Sequence, residues 1–514
     1  MTAIIAIILA IAALGVTLKL LFPLPDRKDF PTDPPVPATT SALADAAGQL
    51  TADRPDESGV MLLPSGVEAF AMRLAMVRNA DRRIDAQYYI WEDDMSGQIL
   101  LDEIIAAADR GVAVRLLIDD NPTAGLDPMW SAVASHPNIA VRLFNPMTIR
   151  SPRSINYLFD FPRLNRRMHN KSLTVDGAAT LVGGRNIGDV YFGAAEDNLF
   201  VDLDALAIGA VVPEVAQDFE RYWTSESSFP AELILDPVAP ETIETWREPR
   251  FPDEPLAKAY LAATDKAFET LGLERSEEPV IWAKIEFLSD DPAKGLGKVK
   301  EDRLMAARLA PLIESAKHRF DLVSGYFVPS DFGTDLLTGR ARAGVKTRVV
   351  TNSIQVTDVA LVHAGYAPSR KALLRDGVAL FEARPEAEDQ SVSARELGMV
   401  RFSGGGESVH AKTFAIDSRK LFVGSFNFDP RSALLNCEMG FVIDSPLLAQ
   451  AFVEALDERA PDAGYRLTLN EDDDIVWIGQ RDGEVTVETT EPGTSAMDRF
   501  LIWSLSRLPI AWLL

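Results

Sequence analysis

Five residue types recur twice in this chain at one spacing, and together they can make a phosphate site. The first copy runs His169-x-Lys171, then Asp176, then Gly183-Gly184-x-Asn186. The second runs His410-x-Lys412, then Asp417, then Gly424-Ser425-x-Asn427. Only five histidines occur in 514 residues, and two of them fill this slot. A neutral imidazole is a nucleophile at neutral pH and can attack phosphorus. A second imidazole, protonated, can donate to a leaving alkoxide and then deprotonate an incoming alcohol or water. Lysine and asparagine donors stabilise negative phosphoryl oxygens. The glycines let backbone approach a ligand closely, so Gly184 and its counterpart Ser425 are candidate substrate contacts. No metal or other cofactor is required. Each copy offers one histidine, and lysine is a poor zinc ligand at neutral pH.

Two tiers of carboxylate accompany the motif. Asp176 and Asp417 begin turns, where bonding to nearby backbone is the alternative to a catalytic role. Asp202 and Glu438 lie on the apolar segment after each copy. They are candidates to hold a histidine, because a carboxylate on one ring nitrogen fixes the tautomer of the other. An ordinary acid at a strand end is the alternative there. The spacing from Asn to acid is 16 in the first half and 11 in the second, so the copies are unequal.

Strands must position these groups. Segments 168–175 and 409–416 alternate in strand fashion, which projects His169 with Lys171, and His410 with Lys412, to one face. Asp176-Gly177 is a turn signal, and Thr180-Leu181-Val182 can return as the hairpin partner. Upstream, strand patterns at 83–90, 112–118 and 141–144 alternate with helical stretches. Those at 319–326, 345–350 and 378–381 repeat them about 235 residues later. Such alternation implies an α/β fold with parallel strands covered by helices, built as two homologous lobes.

The expected organisation is a membrane anchor over 1–25, a linker over 26–57 and an N-terminal lobe over 58–245. A bridge over 246–300, a C-terminal lobe over 301–468 and a tail over 469–514 follow. The tail packs on the body or lies in a membrane interface. The anchor reading rests on an uncharged run from Ala3 to Leu18 and on continued apolarity to Phe22, about the length that spans a bilayer. No Lys or Arg precedes Lys19, as a signal peptide would want. Lys19, Arg27 and Lys28 follow the run, which favours a single-pass protein with a cytoplasmic body. Fifty-one basic against 76 acidic residues leave a net charge of −25, which disfavours nucleic acid. A single cysteine, Cys437, excludes an intrachain disulfide framework. One local exception to the acidity runs from Arg142 to His169. It holds Arg142, Arg150, Arg153, Arg163, Arg166 and Arg167 against Asp160 alone, with Phe144, Tyr157, Phe159 and Phe161 interleaved. This island either docks anionic headgroups or is salt-bridged to acidic surface.

The paired His-x-Lys-x4-Asp motif resembles the phospholipase D superfamily. Further segments are similar to bacterial cardiolipin synthases of the C type. These are Asp119-Asp120-Asn121, the run from Arg163 to Lys171, Gly183-Gly184-Arg185-Asn186-Ile187-Gly188-Asp189, the run from Val362 to Tyr366, and Pro430-Arg431-Ser432. The likeness extends from about residue 58 to the end. Gly325 before Tyr326, and Ala511 near the terminus, depart from the usual pattern. The resemblance implies two phospholipase D-like lobes related by a pseudo-two-fold, with one active site at their interface and a phosphohistidine intermediate. It implies that His169 attacks and His410 handles protons, although the symmetry of the motif permits the reverse. Arg163 and Arg167 enter as substrate contacts. The implied reaction moves a phosphatidyl group from phosphatidylethanolamine to phosphatidylglycerol at a bacterial cytoplasmic membrane. A hydrolytic phospholipase D, a nuclease of the same superfamily and an inactive lipid-binding scaffold are the alternatives, though every motif residue is present.

Overall fold

The two motif copies lie on matching hairpins of two matching sheets. They do so in a computed structural model that describes residues 2–194, 198–239, 242–247, 258, 262, 280–385, 406–481 and 484–507. The N-terminal lobe holds β1 (Ser58–Leu63), β2 (Arg83–Tyr88), β3 (Ala113–Asp119), β4 (Ile139–Phe144), β5 (Ser172–Val175), β6 (Ala179–Gly183), β7 (Asn198–Val201), β8 (Asp204–Gly209) and β9 (Ser228–Pro230). The C-terminal lobe holds β10 (Ile281–Ser289), β11 (Arg319–Ser324), β12 (Lys346–Asn352), β13 (Ala379–Ala383), β14 (Gly406–Val409), β15 (Lys412–Ile416), β16 (Lys420–Gly424) and β17 (Met439–Asp444). It continues with β18 (Gly464–Leu469), β19 (Ile475–Arg481) and β20 (Glu484–Glu488).

Strand order is β1-β8-β6-β5-β2-β3-β4-β9 in the first sheet. In the second it is β10-β17-β16-β15-β11-β12-β13-β18-β19-β20. The first seven positions correspond one to one, so the duplication read from the motif extends through the sheet. In each lobe the triplet β2-β3-β4 or β11-β12-β13 is parallel, and the motif hairpin β5-β6 or β15-β16 is antiparallel.

Parallel neighbours need a helical crossover, and local sequence supplies one. Asp94 caps the helix Met95–Asp109 by accepting from the Gly97 amide, and the following Gly111 takes φ 96° to turn the chain into β3. Gly344, at φ 86°, does the same between Ser330–Arg342 and β12. The lobes meet across an apolar layer that includes Val182, Ala205 and Ala207 from one sheet and Ala415, Val423 and Phe441 from the other. Strands β1 and β10 also pair with each other.

Two segments differ from the sequence expectation, and the tail takes the packed alternative. The stretch read as a linker over 26–57 is docked on the N-terminal lobe. Trp223 Nε1 donates to Asp33 at 2.9 Å, and the helix Ala42–Thr51 buries Leu43 and Ala47 in that lobe's core. Most of the stretch read as a bridge lies outside the described residues, and its end, β10, is built into the second sheet. The tail adds β19 and β20 to that sheet before the helix Ala496–Leu505 packs Ile502 against Ile354, Ala360 and Ala364. The first helix runs Thr2–Leu21. Among the described residues no helix is long and apolar enough to cross a membrane.

The motif aspartates sit at the turns of their hairpins with positive φ, 54° for Asp176 and 51° for Asp417. Asp176 accepts from the backbone amides of Asp81, Arg82 and Arg83, and from the Ser41 hydroxyl at 2.6 Å. Asp417 accepts from the amides of Lys317, His318 and Arg319. Each therefore ties its hairpin to the start of the adjacent strand, β2 or β11. Their recorded bonds make the turn-bonding alternative and reach neither motif histidine. Replacing either by alanine strands three amides at once and is expected to cost about 1–3 kcal/mol, read as a lower Tm. Unchanged melting in both variants would remove this role.

Candidate active site

His169 and His410 sit at the boundary between the lobes, each against backbone of the lobe it does not belong to. The sequence suggested unbroken strands over 168–175 and 409–416, but the regular strands begin at Ser172 and Lys412. The reason is a competing backbone partner. The His169 amide donates to Cys437 O at 2.8 Å, and the His410 amide to Val201 O at 2.9 Å. Both acceptors belong to the opposite lobe. Strand β14, just before His410, pairs in parallel with β7 across the lobe boundary, and Met168 bridges to Cys437 in the same sense.

The residue after each of those carbonyls is one of the second-tier acids. Glu438 Oε2 lies 2.9 Å from His169 Nδ1, and Asp202 Oδ2 lies 2.6 Å from His410 Nδ1. Each acid therefore holds the histidine of the other lobe. With Nδ1–H donating to a carboxylate, both Nε2 lone pairs remain for phosphorus or a proton. The histidines are 6% and 5% exposed and both acids are almost fully buried, so these pairs sit at low dielectric.

The unequal copies are complementary in volume. A Cβ at Gly184 would come 2.2 Å from Asp202 Oδ1, so glycine is what lets the short acid reach across. In the other copy Ser425 occupies that slot, and its hydroxyl donates to Glu438 Oε2 at 2.5 Å. Ser432 donates to the second Glu438 oxygen at 2.7 Å. Gly184 and Ser425 thus serve the acids. Lys171 Nζ donates to His169 O at 2.6 Å, and Lys412 Nζ donates to His410 O. Asn186 accepts from the Ile90 amide and donates to Tyr191, whereas Asn427 Oδ1 is buried without a hydrogen-bond partner. Tyr89 stands edge-on to His169 at 5.2 Å, and Tyr191 to His410 at the same distance.

Burial dominates the electrostatics. It pushes His169 down to about 4 and His410 down to about 3, against the pull of Glu438 and Asp202 upward. Both rings are therefore neutral at neutral pH. Burial also pushes Lys412 down to about 8 and Lys171 well below its ordinary value, and the Lys412 charge lowers Lys171 further. Burial opposes ionisation of Asp202 and Glu438. The Lys412 charge beside Asp202 and the His169 contact beside Glu438 outweigh it and hold both below the usual carboxylate range. An arriving phosphate anion supplies the countercharge that these lysines and histidines lack. Among the described residues no group of three or more His, Cys, Asp or Glu side chains is placed to hold a metal.

The arginine island takes the salt-bridged alternative. Arg150 and Arg153 both bond Asp127, and Arg150 also bonds Asp120 at 2.6 Å. Arg142 donates to Trp223 O and stacks on its ring. Arg163 pairs with Asp160, and Arg167 is buried against Asp119, which also accepts from the Met168 amide. Arg163 and Arg167, expected as substrate contacts, thus brace the approach to His169, and their recorded bonds are made within the lobe. Sequence reading missed Asp290 and Lys294. Buried Asp290 accepts from the Glu438 amide at 3.1 Å and from Lys294, whose Nζ also donates to Ser432 O. No local pattern marks this pair, because its role depends on a strand far away in sequence.

Comparison with known proteins finds the two lobes as two copies of one domain. The family model described as cardiolipin synthase, PLD-like domain, matches residues 74–223 and 309–459, once in each lobe. Cardiolipin synthase C of Escherichia coli is 46% identical over 473 residues, covering 92% of this chain and 99% of that one. An uncharacterised protein of Helicobacter pylori is 31% identical over 87% of this chain and 88% of its own length. Among solved structures, phosphatidylserine synthase of Haemophilus influenzae superposes with a TM-score of 0.54 at 15% identity, covering 82% of this chain and 91% of that one, which shows a shared fold.

The neutral, buried histidines carry a pH signature. Their folded values, about 4 and about 3, lie below the ordinary 6.5, so the unfolded chain binds more protons in between. Their contribution therefore makes stability rise with pH from about 4 to about 6.5, by up to about 1.4 kcal/mol per pH unit for each ring. Thermal melts at pH 5 and 6 should show a steeper rise for the native chain than for a His169→Asn/His410→Asn variant. Equal slopes would mean that the rings are charged in the fold.

Proposed function

Because the chain belongs to the phospholipase D-like family of cardiolipin synthases, we propose that it is a membrane-bound phosphatidyltransferase. It moves a phosphatidyl group onto a headgroup hydroxyl of phosphatidylglycerol, with phosphatidylethanolamine as the donor. His169 Nε2 attacks the donor phosphorus, the bond to the headgroup oxygen breaks, and His410 supplies the proton that oxygen needs. The phosphatidyl group then rests on His169. His410 takes the proton of the acceptor hydroxyl, the acceptor oxygen bonds to phosphorus, and His169 leaves neutral. Lys171, Lys412, Asn186 and Asn427 face the charge that develops on the remaining phosphoryl oxygens. Protonation of His410, which burial disfavours, is promoted by the phosphodiester anion itself.

The observation that carries this reading is the crossed pairing of Glu438 with His169 and Asp202 with His410. It leaves two Nε2 atoms, one from each lobe, for opposite faces of one phosphorus. A carboxylate so placed orients the ring and stabilises the imidazolium, and its loss in hydrolases with a comparable pair costs about 10⁴ in rate.

The membrane part rests on two helices. The apolar run from Ala3 to Phe22, helical over Thr2–Leu21, attaches the protein to a bacterial cytoplasmic membrane, with Lys19, Arg27 and Lys28 following on the cytoplasmic side. The helix Ala496–Leu505 docks by Ile502 and turns Met497, Phe500 and Trp503 outward at 65%, 59% and 54% exposure. Phe500 stacks on Trp503, and Arg507 lies over the Trp503 ring at 4.7 Å. An aromatic stripe ending in a cation suits the headgroup level of a bilayer.

The test uses the full chain in mixed micelles of phosphatidylglycerol and phosphatidylethanolamine. Cardiolipin is the expected product. Phosphatidic acid alone would make water the acceptor and the protein a hydrolase. His169→Ala and His410→Ala should each reduce turnover by at least about 10³. After rapid quenching with donor labelled in its phosphate, label should appear on His169 and persist in His410→Ala. Label on His410 would reverse the two roles.

A further inference from the structure

The strand ends that carry the motif histidines also carry apolar side chains turned to solvent. The helix Tyr157–Leu164 lies between the carboxyl end of β4 and His169, and it leaves Leu158 54% exposed. The helix Ser330–Arg342 follows Tyr326, whose ring stands edge-on to His410 at 6.2 Å, and it leaves Phe332 67% exposed in its first turn. A third helix, Pro430–Leu434, begins just after Asn427 and leaves Leu434 48% exposed. The three are joined around the site. Arg431 donates to Asn165 O at 2.8 Å, which ties Pro430–Leu434 to the end of Tyr157–Leu164 in the other lobe. A Cβ at Gly333 would come 2.6 Å from the Phe428 ring, so Ser330–Arg342 packs closely on the residue after Asn427.

Two further apolar helices flank this ring. In the N-terminal lobe Thr2–Leu21 lies on Tyr157–Leu164. A Cβ at Gly15 would come 3.0 Å from Leu158 O, so the two helices meet there through backbone, and Lys19 lies 3.9 Å from Asp160. Leu14, Val16, Leu20 and Leu21 remain exposed beside that contact. In the C-terminal lobe Ala496–Leu505 packs by Ile502 on Ile354, just past the carboxyl end of β12, and on Ala360 and Ala364. Its exposed Met497, Phe500 and Trp503 thus belong to the same end of the sheets. The other ends of the parallel strands begin from exposed polar residues. These are Asp81 and Arg82 before β2, Arg110 before β3, Lys317 and His318 before β11, and Lys346 at the start of β12.

Apolar side chains exposed one at a time are ordinary, but a set gathered on one face of a highly charged chain marks a contact surface. Continuity names the partner. The apolar run over Thr2–Leu21, which attaches the chain to a membrane on the reading above, is docked at the edge of this face. We propose that the histidine-bearing face of both lobes is seated on the bilayer, with Leu158, Phe332 and Leu434 entering the boundary between headgroups and acyl chains. The inference rests on the phosphatidyl-transfer reading for the identity of that surface. Phosphodiesters lie at headgroup level. A body seated by these three side chains holds its two histidines at that level, so a donor lipid reaches His169 without leaving its leaflet. Lys19 and Arg507, exposed at the two flanks, meet anionic headgroups.

The test uses the full chain with vesicles of phosphatidylglycerol and phosphatidylethanolamine. The one native cysteine, Cys437, is buried, so introduced cysteines take an environment-sensitive fluorophore. Labels at Leu158→Cys, Phe332→Cys and Leu434→Cys should shift to the blue on adding vesicles and lose access to iodide. A label at Lys346→Cys, at the other end of the sheet, should do neither. No shift at the three sites, or an equal shift at Lys346→Cys, overturns the seating. A shift that grows with protein concentration before vesicles are added assigns the face to a second copy and overturns it too. Activity gives a separate reading. A Leu158→Ser/Phe332→Ser/Leu434→Ser variant should lose about tenfold or more in product from vesicles, yet stay within about twofold on short-chain lipids dispersed as monomers. Equal loss on both substrates would make these side chains supports of the fold. A native enzyme that forms no cardiolipin from either substrate overturns the transfer reading, while the labels still decide the seating.

Discussion

Each motif imidazole is held, through ring and backbone alike, by the lobe it does not belong to. His169 bonds Cys437 O and Glu438, and His410 bonds Val201 O and Asp202. The remaining features of the site follow from this exchange. A buried neutral imidazole keeps one tautomer only if its Nδ1–H finds an acceptor, and the acceptor must be rigid. Neither lobe provides one for its own histidine. The apolar layer between the sheets is therefore a condition for chemistry as well as for folding, because a shift of the lobes by an ångström would break both pairs together.

Duplication gives two of everything, but one phosphorus needs two different partners. The structure reconciles these demands by changing size and keeping position. Asp202 with Gly184, and Glu438 with Ser425, occupy equivalent volumes with different donors. Glu438 is further buttressed by Ser432, and its strand by the buried Asp290–Lys294 pair. In the other lobe Arg185 does comparable work by donating to Asp202 O, Leu63 O and Pro64 O. Two histidines with the same first contacts thus rest on unlike supports, the asymmetry that the proposed division of roles requires.

The motif made the histidines, lysines and asparagines legible from sequence, because their types and spacing have few structural explanations. The strand pattern made the two lobes legible as well, and the parallel triplets begin and end within a few residues of the expected positions. What stayed hidden is what depends on partners far apart in the chain. The sequence put Asp202 and Glu438 near the histidines but contained nothing to say that each crosses to the other lobe. It suggested continuous strands through His169 and His410, and a carbonyl 268 residues from His169, on Cys437, interrupts the first. The arginine island left two readings open, because its acids, Asp119, Asp120 and Asp127, lie some two dozen residues or more upstream of most of its arginines. Composition reports charges, and folding decides which of them face each other.

That last point bears on how a chain of net charge −25 handles an anionic substrate. Long-range attraction is absent, and the island that might have supplied it is internally neutralised. The attraction is local and latent. Burial depresses both lysines, Lys171 further through the Lys412 charge, and it holds both imidazoles below their ordinary value. A site of this kind binds its anion only after the anion has shed its water, since each interaction is strong only at low dielectric. Delivery must then come from elsewhere. A lipid already confined to a surface, presented to a body fixed at that surface, needs no electrostatic steering. An acidic exterior is therefore compatible with phospholipid chemistry where it would handicap an enzyme that captures free nucleic acid from solution.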